Sequence, residues 1–252
     1  MFHAFEYWIL QYKRTWRGTI VISVANPLLF LTGVGAGLGQ LVDLHAPQQL
    51  ASVPYAAFFA PGMLAAAAMQ TAFLEGSGSV ARAANFGAYR DATPTPLEPG
   101  QLMGGHLLFI AFRVFSSSAA FVAVMALFGL THGWWASAVL VGALLTGMAF
   151  AAPAAAWAVT VRKMRHLNTV FRFVIMPLYM FSGTFFAVAQ LPAWVRPLSY
   201  VLPLWHGVEL CRTLSLGTAT PAGTSIHVAY LLVLAVGGLL VARVTYRRRL
   251  HA

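Results

Sequence analysis

Residues 135–159 read WASAVLVGALLTGMAFAAPAAAWAV, a stretch with no charged side chain. A helix rises about 1.5 Å per residue, so about 20 apolar residues cross roughly 30 Å of hydrocarbon, and this stretch is long enough. A strand of a membrane barrel alternates apolar and polar positions; Phe150-Ala151-Ala152, like Ala65 to Ala68, does not. Five further segments have the same character: Thr19–Leu38, Tyr55–Leu74, His106–Gly129, Asn168–Val188 and Thr224–Val241. With Trp135–Val159 they predict an all-α integral membrane protein of six transmembrane helices, a single transmembrane domain over 1–252.

Composition agrees. The chain is 59% hydrophobic and 9% charged, against roughly 25% charged in soluble domains, so lipid has to take the place of water around most of its surface. The formal charge of +10 points first to a membrane surface, because the cations sit between the apolar runs; no nucleic-acid partner is expected. Lys13, Arg14 and Arg17 precede the first span, Arg82 and Arg90 follow the second, Arg162, Lys163 and Arg165 follow the fourth, and Arg243 and Arg247 to Arg249 follow the sixth. Lys and Arg collect on cytoplasmic loops, which predicts both termini inside. Over 1–17, Phe2, Phe5, Ile9, Tyr12 and Trp16 recur at helical spacing, as in an amphipathic helix lying along the interface. The apolar run after it exceeds the 7–15 residues of a signal h-region, so it reads as an uncleaved span.

The scarcity of polar residues excludes several chemistries. A Walker A loop needs Gly before Lys, and the two lysines follow Tyr12 and Arg162. No Glu follows a His as a zincin requires, and no Gly-x-Ser-x-Gly elbow is present. One cysteine, Cys211, and eight scattered histidines provide no metal-ligand spacing. The acids read as span-end or loop residues, which disfavours a proton relay. Arg113 is the basic residue well inside a span; it can snorkel toward the cytoplasmic end or contact a substrate, and Ser116 to Ser118 read as helix-packing hydroxyls.

Two regions stand apart. The stretch 75–101 is a long cytoplasmic loop, with helix-forming residues from Ser79 to Tyr89 and then Thr93-Pro94-Thr95-Pro96, whose prolines stop the helix. A solvated loop and a short rigid helix that passes motion into the membrane are equally compatible with the spacing. The stretch 189–215 is apolar but broken by Pro192, Pro197 and Pro203, which predicts an outer re-entrant hairpin between spans five and six. Within it Glu209 and Arg212 stand at i, i+3 and can pair.

In these places the sequence resembles the membrane subunit of type-2 ATP-binding-cassette exporters. The resemblance rests on Ala88-Tyr89-Arg90-Asp91-Ala92-Thr93-Pro94-Thr95-Pro96-Leu97 with Gly104-Gly105-His106, and on Phe181-Ser182-Gly183-Thr184-Phe185-Phe186, Leu202-Pro203-Leu204 and Glu209-Leu210-Cys211-Arg212. The opening Tyr12-Lys13-Arg14-Thr15-Trp16-Arg17 with Asn26-Pro27 is most like the branch that includes the Nod-factor (lipochitooligosaccharide) exporter permease. The resemblance implies a bacterial inner-membrane permease that pairs with a second copy or paralogue and docks two cytoplasmic ATPase subunits. ATP and magnesium would sit on those partners, with no cofactor on this chain. It implies that Arg82, Tyr89, Arg90, Thr93, Thr95 and Leu97 couple to the ATPase. Asn26, Pro27, Phe30, Phe181, Gly183, Phe185, Phe186, Trp205, Glu209 and Arg212 would line the path or its outer gate. Small-xxx-small spacing at Gly33 and Gly37 suits a helix contact between permeases or a loosened helix end. Export of a glycolipid-like or lipid-linked saccharide is the leading expectation. Efflux of hydrophobic drugs is an alternative, and a lipid-modifying membrane enzyme is an alternative of another class.

Overall fold

The computed structural model describes residues 2–14, 16–38, 54–89, 98–131 and 133–250. These are helical, with no strand among the described residues. We number the helices α1 (Phe2–Tyr12), α2 (Trp16–Phe30, continued by a wide π-helical segment Leu31–Leu38), α3 (Tyr55–Phe86), α4 (Pro99–Leu127), α5 (Trp135–Ala158), α6 (165–181), α7 (Arg196–Val201), α8 (Pro203–Ser215) and α9 (Pro221–Leu250). Four of them, α3, α4, α5 and α9, are long and apolar enough to cross a membrane.

The core is built from small residues. Ala60, Ala65, Ala66, Ala68 and Ala72 of α3 and Ala143, Ala151, Ala152 and Ala155 of α5 are buried, which lets backbones approach closely where lipid offers no hydrophobic drive for association. One close approach is between α5 and α9. Pro153 occupies the α5 interior, and a Cβ at Gly238 would stand 2.5 Å from its Cδ and 2.6 Å from its N. Gly238→Ala is therefore expected to lower the melting temperature of the detergent-purified protein, by overpacking of about 1–3 kcal/mol. Gly237→Ala, where a Cβ meets nothing within 4 Å, serves as the control and is expected to leave it unchanged or raise it.

Several boundaries differ from the sequence expectation. The second span does not end at Leu74: the helix continues through a π-helical segment, Leu74–Ser79, and on to Phe86, so the first part of the 75–101 loop is helix. Gly76-Ser77-Gly78-Ser79 is a weak α-former, and the Ser77 and Ser79 hydroxyls donate to the carbonyls of Phe73 and Glu75, at 2.6 and 2.5 Å, back-bonding of the kind that bends helices. The third helix starts at Pro99 rather than His106, because Pro at a first helical position loses no bond. The sixth runs on from Val241 to Leu250, taking its arginines with it. The fifth stops at Phe181 instead of Val188: Gly183 adopts a left-handed φ of 74°, and residues 182–186 turn away. The expected 1–17 helix is two helices, α1 and α2, so Trp16 belongs to the second. Within 189–215 the structure has the two helices α7 and α8 with an extended break at Leu202.

Candidate functional site: a polar node, an ion pair and an arginine clamp

The Leu74–Ser79 π-segment displaces α3 where polar groups cluster, as such segments often do at functional places. His106, fully buried on α4, stands between two hydroxyls: Ser79 Oγ is 2.8 Å from Nε2 and Tyr89 Oη 2.5 Å from Nδ1. Tyr89 Oη lies 3.0 Å from Tyr246 Oη of α9. The proton of Ser79 goes to the Glu75 carbonyl, which can only accept, so Ser79 accepts from His106 Nε2–H. With the imidazole neutral, Nδ1 then accepts from Tyr89 and Tyr89 accepts from Tyr246. The result is a chain of one polarity, from Tyr246 through Tyr89, His106 and Ser79 to the Glu75 carbonyl. Burial, with the Tyr246 phenol beside it, holds the Tyr89 hydroxyl well above the ordinary tyrosine range, so it remains a donor.

Helix α1 closes the node. Trp8 stacks on the His106 ring with centroids 3.9 Å apart and planes 16° apart. Ala4 and Trp8 are the buried face, with Phe5, Ile9 and Tyr12 packed beside them; the aromatic periodicity located the helix but passed over Trp8 as its anchor.

Two turns further along α4, Arg113 meets Glu75. Its Nε and Nη2 donate to one carboxylate oxygen at 3.1 and 2.9 Å, and its guanidinium lies 4.7 Å from the Tyr12 ring centroid. Glu75 is thus a helical residue paired across to α4, not a loop acid, and Arg113 is satisfied by a partner rather than by snorkelling alone. Two cavities meet at this pair. One, of about 480 Å³, lies among α2, α3, α4 and α6 and is lined by Pro27, Phe30, Gln70, Ser117, Phe121 and Tyr179, among others. The other, of about 510 Å³, lies under α1 and includes Trp8, Tyr12 and Arg82. Glu75 and Arg113 line both.

On the other side of the molecule Arg212, 6% exposed, acts as a clamp. It donates to Glu209 at 3.3 Å, to the Phe58 carbonyl at 3.2 Å and to the Gly183 carbonyl at 2.7 Å, and it covers the Phe58 ring at 3.8 Å. The expected Glu209–Arg212 contact is present, and the structure adds α3 and the 182–186 turn to it. Phe185 packs against Phe59 and Tyr179, and its carbonyl accepts from Tyr55 at 2.9 Å. The hydroxyls of Ser182 and Thr184 are buried with no partner among the described residues, which marks this turn as the least satisfied part of the core. Trp205 packs on Tyr200 and on the His206–His227 pair, whose Nδ1 atoms are 2.9 Å apart.

The remaining sequence-derived candidates are dispersed. Phe181 and Phe30 are partly exposed, and Phe186 is half-buried beside Gly183. Gly33 and Gly37 have open space where a Cβ would stand. Arg82 is exposed, and Tyr89 is 1% exposed. Arg90, Thr93, Thr95 and Leu97 lie outside the described residues, as does the side chain of Asn26. Among the described residues no cluster of three metal-ligating side chains occurs.

The model of the ABC-2 type transporter family matches residues 4–216, which takes in the ion pair, the clamp and every member of the node except Tyr246. The chain belongs to that family. It is 29% identical to Nodulation protein J of Rhizobium leguminosarum bv. viciae, over 96% of this chain and 91% of the relative. It is 31% identical to Nodulation protein J of Sinorhizobium fredii, over 91% and 88%. No solved structure matches it. Family membership and the apolar helices make this permease a multi-pass bacterial inner-membrane protein, and the family implies ATP-binding-cassette ATPase partners.

Proposed function

We propose that this chain is the permease subunit of an ATP-driven exporter that moves an amphipathic, lipid-linked saccharide or glycolipid-like molecule outward. Two permeases, as a homodimer or with a paralogue, would work with two ATPase subunits that bind ATP and magnesium. The observation that carries the reading is the 480 Å³ cavity among α2, α3, α4 and α6, apolar along Pro27, Phe30 and Phe121 and polar at Gln70, Ser117 and the ion pair. Such a lining suits a molecule with an acyl part and a polar part. The family and the Nodulation protein J relatives support the transport class, and six spans with both termini inside complete the topology.

Coupling would enter through the 80–97 segment and through α1. Tyr89 is too buried to be touched directly by a docked ATPase, so we assign it the role of transmitting displacement of its loop into α4 and α9 through His106 and Tyr246. Arg82 and Arg90 make contact with the ATPase in this reading, together with Thr93, Thr95 and Leu97. Phe185, Phe186 and Trp205 with the Arg212 clamp form the outer gate.

The test is co-purification of the permease with an ATP-binding-cassette ATPase of the same organism. The permease is expected to stimulate hydrolysis, and Arg90→Ala to preserve assembly while abolishing both the stimulation and export. Lack of any ATPase association would overturn the transport assignment, and full export by Arg90→Ala would overturn the coupling assignment.

A further inference from the structure

The Glu75–Arg113 pair has a placement that a purely structural ion pair does not need. Along α3, Glu75 is thirteen residues, about 20 Å, from Gly62, where the Arg212 clamp packs. Along α4, Arg113 is seven residues, about 10 Å, beyond His106. The pair therefore sits at depth within the bundle, where lone charges are costly and mark ligand pathways. Its side chains keep 22% and 12% of their surface, and that surface faces cavities on both sides. A third cavity, lined by Phe73, Arg82, Asn168 and Phe171, also reaches Glu75. Among the described residues the charges facing these three spaces are Glu75, Arg82 and Arg113, so their sum is net positive even with the carboxylate in place. The two N–H groups of Arg113 that hold Glu75 form a fork suited to carboxylate, phosphate or sulfate oxygens alike.

We propose that Arg113 and Glu75 form an anion-exchange site. The acidic head of a single-chain amphiphile, entering from the cavity under α1, takes the Arg113 fork in place of Glu75, and its tail occupies the apolar cavity among α2, α3, α4 and α6. Arg82 supplies the attraction at the entrance. This deepens the export reading and rests on it for the direction of movement, but binding can be tested without transport.

The experiment uses the full-length permease in phosphatidylcholine nanodiscs and measures equilibrium binding of radiolabelled 1-oleoyl lysophosphatidate. Uncharged 1-oleoylglycerol and inorganic phosphate are the competitors. Lysophosphatidate is expected to bind about tenfold or more tighter than oleoylglycerol, the effect of one charge-assisted contact, and millimolar phosphate alone is expected not to displace it. Glu75→Gln removes the internal competitor and should tighten lysophosphatidate binding; Arg113→Gln should erase the preference. The exchanged pair Glu75→Arg with Arg113→Glu keeps an ion pair and should remain folded with the preference lost. Equal binding of acidic and neutral amphiphile, displacement by phosphate alone, or a preference that survives the exchange would each overturn the site. So would loss of the signal in nanodiscs rich in phosphatidylglycerol, which would make a resident bilayer lipid the occupant. Failure of the permease to stimulate its ATPase would instead overturn the export reading, whatever the binding result.

Discussion

Arg212→Ala is expected to be the most damaging single substitution in the clamp, with loss of both thermal stability and export. The side chain is nearly fully buried and ties α8 to the Phe58 carbonyl of α3 and the Gly183 carbonyl after α6, while pairing with Glu209. Truncation strands a partly buried carboxylate and two carbonyls and opens a void under the Phe58 ring. Breaking one side of a buried pair costs about 3–5 kcal/mol, enough to lower the melting temperature of the purified protein by many degrees. Arg212→Lys should not rescue it, since one ammonium cannot span three acceptors lying in different directions. Glu209→Gln should be much milder, because Arg212 retains both carbonyls. A wild-type melting temperature for Arg212→Ala in a fluorimetric unfolding scan would remove the clamp from the account.

His106→Phe separates packing from hydrogen bonding in the polar node. A phenyl ring keeps the stack with Trp8 but neither accepts from Tyr89 nor donates to Ser79. The Tyr89 hydroxyl then loses its acceptor in a buried site, at about 1–3 kcal/mol. The protein should still insert and bind its ATPase, while stimulation of hydrolysis falls at least several-fold. Tyr246→Phe removes only the upstream donor and leaves the Tyr89–His106 bond, so a smaller loss is expected. If His106→Phe couples as well as wild type, the chain of hydroxyls is packing and not transmission.

Both sites show how far local reasoning reaches. Glu209 and Arg212 are three residues apart on one helix, so their contact was readable from spacing. The other two acceptors of Arg212 are carbonyls on distant segments, and nothing in the composition around Phe58 or Gly183 announces them. The Glu75–Arg113 pair shows the opposite error. A charge directly after an apolar run reads as the end of a span, yet α3 continues past it because Arg113, 38 positions away, neutralises it from the neighbouring helix. His106 had no local signal at all: a single histidine opening an apolar segment looks like a boundary residue, and its partners are Trp8 of α1, Ser79 of α3 and Tyr89 just beyond α3.

What the sequence by itself determined is the solvent and the element type. Long uncharged runs can satisfy their backbone in lipid only as helices, proline and glycine set where these break, and the alternation of Lys and Arg sets the expected orientation. Tertiary structure alone decided which polar groups meet. A membrane protein with few polar residues places each of them against a partner on another helix, and a one-dimensional pattern of 3.6 residues carries no information about which helices become neighbours. The node, the ion pair between two cavities and the three-way clamp are all contacts between segments remote in the chain, and they arise because small residues such as Gly238 and the alanines of α3 and α5 let those helices come close enough for the polar side chains to reach one another.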